Sequence, residues 1–152
     1  MTSLALGACG SEPGAGELKP GNWKMSAGMV DMDVPGATPE QQEMFKSSMG
    51  EMMSQEQCVT AQEAKFDPDT MAEAFKQGGD CTVGDFDLTD GNIDGKMTCK
   101  VPDAGDIDIA ITGNIGPEKF SMKATTEMVQ DALPEGKANV TMEVTGERIG
   151  DC

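Results

Sequence analysis

Alternation of apolar and polar positions marks most of this chain as extended. After Pro20-Gly21-Asn22, residues Trp23, Met25, Ala27 and Met29 fall on one side and Lys24, Ser26 and Gly28 on the other, a period of two that predicts a strand. Pro35-Gly36 interrupts the pattern. Thr38-Pro39-Glu40-Gln41 then supplies an N-cap, a proline at the first helical position and a glutamine that can return a hydrogen bond to the cap. The helix predicted from there runs to about Met53, with Phe45, Met49 and Met52 as its buried stripe and Met44 and Met53 beside it. Cys58-Val59-Thr60 reads as a short extended piece, and Thr60 to Glu63 can cap another turn. A second helix is expected where Asp67 caps and Pro68 starts it, carrying Met71, Ala74 and Phe75 inward until Gly78-Gly79. A Met-rich helical insertion is therefore predicted over about residues 38–78.

Beyond it the pattern returns to hairpins. Cys81, Val83 and Phe86 to Leu88 form one predicted strand, and Ile93, Met97 and Val101 the next, with the favoured turn pair Asp90-Gly91 between them. Ile107, Ile109 and Ile111 alternate with polar neighbours, Gly116-Pro117-Glu118-Lys119 turns the chain, and Phe120, Met122 and Ala124 follow. Last, Ala138, Val140, Met142 and Val144 alternate with Asn139, Thr141 and Glu143. The fold class expected is α+β: a mostly antiparallel sheet of about six strands, joined in order and covered in part by the helical insertion.

The length of 152 residues fits one domain. Against 11 basic residues stand 27 acidic ones, and the net charge of -16 repels phosphate backbones and anionic headgroups, so nucleic acid is not an expected partner. Histidine is absent, which removes the commonest neutral-pH base and nitrogen metal ligand and excludes Ser-His-Asp and Cys-His catalysis. With no tyrosine, Trp23 and the phenylalanines are the only aromatic stacking material.

Leu6-Gly7-Ala8-Cys9 matches the lipobox pattern, in which a signal peptidase cuts before an acylated cysteine. Residues 1–9 read as a residual lipoprotein signal with Cys9 as the lipidation site, residues 10–19 as a flexible tether rich in glycine, and 20–152 as the folded domain. Removing Cys9 from the count leaves Cys58, Cys81, Cys99 and Cys152, an even set with no Cys-x-x-Cys pair, which implies two disulfides rather than a zinc or redox motif. All three connectivities are open. The preferred one joins Cys81 to Cys99 on neighbouring strands and Cys58 to Cys152 at the carboxy terminus. Persistent disulfides need an oxidising compartment, so the periplasm is expected, with the chain held by its lipid at the inner leaflet of the outer membrane.

Three short motifs carry a resemblance: Pro20-Gly21-Asn22-Trp23-Lys24, Cys58-Val59-Thr60, and Gly146-Glu147-Arg148-Ile149-Gly150-Asp151-Cys152. In this order, with a Met-rich helix and two further cysteines between them, they resemble the proteobacterial domain-of-unknown-function 3617 family over about residues 20–152. Its members open with a Pro-Gly-x-Trp-like strand and close with an Arg-x-Gly-x-Cys-like tail. The resemblance implies export, often with a lipid anchor, and no established biochemical activity, so it supplies no catalytic residue.

Three candidate chemistries remain. Asp90-Gly91-Asn92-Ile93-Asp94-Gly95 imitates the start of a calcium loop, but Val101 stands where the bidentate glutamate belongs, so a polar hairpin turn is expected and no metal site or cofactor is assigned. Thirteen methionines raise thioether copper binding at Met49, Met52 and Met53, although most methionines fall at core spacing. The many aspartates admit a carboxylate-dependent hydrolase, but nothing selects a pair. The reading preferred over these is a non-catalytic envelope lipoprotein, an interaction or apolar-ligand-binding module using Trp23, Met44, Phe45, Met49, Met52 and Met53. A cavity above about 300 Å³ lined by Met and Phe would indicate a small apolar ligand. An open Met stripe would indicate an envelope protein partner.

Overall fold

The computed structural model describes residues 12–49, 53–65, 80–102 and 105–152. Its described elements are seven strands and one helix: β1 (Gly21–Asp33), α1 (Pro39–Met49), β2 (Met53–Val59), β3 (Asp80–Thr89), β4 (Asn92–Val101), β5 (Gly105–Ile115), β6 (Lys119–Val129) and β7 (Lys137–Gly150). They form one antiparallel sheet in the order β2-β1-β7-β6-β5-β4-β3. The five strands after the insertion are consecutive hairpins, and the first strand closes the sheet against the last.

The alternation predicted for β1 and for β3 to β7 puts their apolar positions on one inner face. Trp23 and Phe120 meet there with ring centroids 5.9 Å apart. Around them Ile93, Met97, Cys99, Ile111 and Ile115 are buried in a first cluster, with Leu18, Val59 and Ala64 sealing its end. A second cluster on the same face joins Met32, Val34, Leu133, Ala138 and Val140, and Phe45 of α1 packs against it. In β1 an irregularity between Met29 and Asp31 brings both Met29 and Met32 to this face, opposite Met142 and Val140.

The turns follow their residues. Asp90 and Gly91 both adopt positive φ, 51° and 80°, between the paired Thr89 and Asn92, the two-residue turn whose twist matches a hairpin. The calcium-loop imitation is thus a strand-turn-strand. Thr38 and Gln41 form the expected reciprocal cap, with the Thr38 N–H donating to Gln41 Oε1 at 2.9 Å and the Gln41 N–H to Thr38 Oγ1 at 3.3 Å. Both preferred disulfides are present: Cys58 to Cys152, and Cys81 to its register partner Cys99.

Two expectations are corrected. The sheet has a seventh strand, and it lies inside the stretch 38–78 read as helical: α1 ends at Met49 and β2 begins at Met53. The extended piece expected at Cys58-Val59 is the end of β2; residues 53–57 escaped the pattern because this is an edge strand with only Val59 buried, so alternation was not required of it. The second helix expected over 67–78 lies outside the described residues. The packed body also starts before Pro20, for Leu18 is buried, its N–H donates to Ala64 O at 2.9 Å, and Gly16 passes against Leu88.

Candidate functional site

Three family-like motifs far apart in sequence become neighbours on β2, β1 and β7. Asn22 pairs with Cys58 on one side and Gly150 on the other, and Trp23 pairs with Arg148. Arg148 is the only arginine, and it ties this corner together. Its Nε donates to Pro20 O at 2.9 Å, its Nη2 pairs with Asp151, and its backbone N–H donates to Glu118 O at 2.9 Å. Its guanidinium lies over Gly21, where a Cβ would collide with it. Trp23 Nε1 donates to Lys19 O at 2.9 Å. All of these groups are engaged in holding the chain together, so the motif corner is structural.

This disposes of Trp23 as a binding residue, because it is fully buried. The other apolar candidates separate. Phe45 packs on the second cluster, whereas Met44 is exposed on α1. Met53 belongs to β2 and not to the helix, Met49 is the last residue of α1, and Met52 lies outside the described residues, as does Cys9. The helical group Met49-Met52-Met53 proposed for copper is therefore not one helix face.

The site that the structure does assemble is a strip across the inner face, between the two clusters. Met53 lies opposite Ala27, and Ala27 opposite Val144. Met142 lies between Met29 and Ala124. Met53 is 77% exposed and Met142 47%, although both sit on the face that elsewhere forms the core. Met142 was legible as an inward position, but its exposure depends on the gap between two cores, which no local pattern reports.

The outer face is polar and in register. Ser54, Ser26, Thr145, Ser121, Asn114 and Asn92 form one row across six strands, beside a row of alternating charge through Glu56, Lys24, Glu147 and Lys119. A groove of about 500 Å³ runs among Lys24, Ser26, Asn114, Lys119, Ser121 and Thr145. A second, of about 340 Å³, involves Lys96, Thr98, Asp108, Thr125 and Glu127. Phe120 borders the first and Met97 and Ile109 the second, but most residues of each lining are polar, unlike the Met- and Phe-lined cavity that a small apolar ligand would want.

Carboxylates give no catalytic arrangement among the described residues, none of which is a buried charged group. The Glu63 carboxyl is held below its usual range by the Thr60 backbone N–H and hydroxyl, which donate to it at 2.9 and 2.8 Å. That is a cap on the 61–64 turn. No group of three or more His, Cys, Asp or Glu side chains among the described residues is placed to hold a metal ion.

A family model described as "Protein of unknown function (DUF3617)" matches residues 18–152. No curated protein and no solved structure matches.

Proposed function

Because the chain belongs to the DUF3617 family, whose model covers residues 18–152, we propose that it is an exported, non-catalytic envelope lipoprotein that docks an apolar segment of a protein partner. The observation that carries this reading is the strip formed by Met53, Ala27, Met29 and Met142. Methionine is flexible and polarizable, so a surface built from it accommodates apolar side chains of varied shape. The open strip favours a protein segment over a small enclosed ligand. Two disulfides support export, since such bonds persist in oxidising compartments. Cys9, in its lipobox context, is the anchor, which leaves the domain held at the outer membrane's periplasmic surface with the strip free to engage.

The test uses the full chain in its own envelope. A photo-crosslinking residue at position 142 or 53 should give a discrete protein adduct that Met29→Glu abolishes, while the same residue at outer-face position 123 gives none. Equal adducts from both faces, or none from the inner one, would reject the docking strip. Intact mass of the membrane-extracted protein should carry a diacyl or triacyl group on Cys9, and an unacylated chain retaining Met1 would reject the anchor.

A further inference from the structure

Among the described residues the sheet ends in two edge strands, β2 and β3, which are built differently. β3 carries Asp80, Asp85 and Asp87, and its pairing with β4 slips between Val83 and Phe86. Charge and an irregularity are the usual means by which an edge is kept from pairing with another chain. β2 has neither. Its sequence, Met53-Ser54-Gln55-Glu56-Gln57-Cys58-Val59, contains no proline, no lysine and a single charge, and it pairs with β1 without a break. Glu56 stands opposite Lys24, so even that charge has a compensating neighbour. Among the described residues, no backbone hydrogen bond reaches β2 on the side away from β1.

In a chain with net charge -16, a basic extended segment would be drawn to the acidic β3 edge. β2, whose single charge Glu56 is set against Lys24, instead suits a polar strand of low charge, and β2 of a second copy is such a strand. We infer that two copies of this chain pair edge to edge through β2, antiparallel and two-fold symmetric about Gln55. An isologous contact must be self-complementary, and this register is. It places Gln55 opposite Gln55 of the second copy, where two side-chain amides can each donate and accept. It places Ser54 opposite Glu56 of the second copy, a hydroxyl beside a carboxylate, and Met53 opposite Gln57. Centring on Glu56 would instead set two carboxylates face to face, which is unfavourable across a strand pair. The junction joins two seven-stranded sheets into one through main-chain bonds alone, so the dimer is a small, concentration-dependent interface.

The inference does not depend on the docking strip. Full-length protein with Cys9→Ser, which removes the unpaired thiol, should sediment at twice the 16.0 kDa chain mass as concentration is raised. Gln55→Lys sets two cations opposite one another and should weaken association at least tenfold while near-UV circular dichroism stays unchanged. Thr82→Lys, on the exposed side of β3, should have no effect. Gln55→Cys should oxidise to a covalent dimer faster than Glu56→Cys, because only position 55 meets itself. A monomer at every concentration, association lost in Thr82→Lys but kept in Gln55→Lys, or faster cross-linking through position 56 would each overturn the inference.

Discussion

The ring of Phe120 lies directly over Gly146 on the neighbouring strand β7, and the two are register partners. A glycine there leaves the sheet open beneath the ring, and the ring in turn covers backbone that would otherwise be bare. The same ring packs against Trp23, so a backbone position on β7 decides how the main cluster closes. Phe86 over Gly95 repeats the device on β3 and β4.

Gly146→Ala therefore places a methyl group where the Phe120 ring sits. The ring must move off Trp23, an overpacking that costs about 1–3 kcal/mol. Gly150→Ala, where a Cβ would meet open space, should change stability by less than about 0.5 kcal/mol. Denaturant unfolding followed by the fluorescence of Trp23, the sole tryptophan, measures both.

Arg148 holds the tail that ends in Cys152. Arg148→Gln removes the charge that Pro20 O and Asp151 share, costing about 1–2 kcal/mol. It should also slow closure of the Cys58–Cys152 bridge during oxidative refolding, because the tail is no longer fixed beside β1. The Cys81–Cys99 bridge, formed within one hairpin, should close at an unchanged rate. Arg148→Lys should restore only part, since a single ammonium cannot match the planar fork. Timed thiol trapping with fragment mapping distinguishes the two bridges.

Glu63 gives a pH dependence of defined sign. Its folded-state ionisation lies below the ordinary value of 4.5, so the carboxylate form is favoured by folding. Its contribution is complete above that value and is lost as pH falls through the lower folded-state value. Glu63→Gln should thus lower the unfolding midpoint relative to the parent at pH 7, with the difference shrinking toward pH 3. A constant difference across that range would mean that charge is not what Glu63 contributes.

The alternation of Ile107, Ile109 and Ile111, of Phe120, Met122 and Ala124, and of Ala138 to Val144 settled the hairpins, because a half-buried strand must place every second side chain inward. Asp90-Gly91 settled a turn, Thr38 with Gln41 a helix start, and four cysteines after Cys9 an even set. These are local consequences of backbone chemistry, legible wherever they occur. The extended piece at Cys58-Val59 was legible, but tertiary structure alone decided that the strand reaches back to Met53, since an edge needs one hydrogen-bonded neighbour and no buried face. It decided that Leu18 belongs to the core, that Trp23 is sealed and that Met142 is open. Periodicity tells which way a side chain points from its own strand. Whether anything covers that direction depends on register and on segments arriving from elsewhere in the chain, and those are long-range facts.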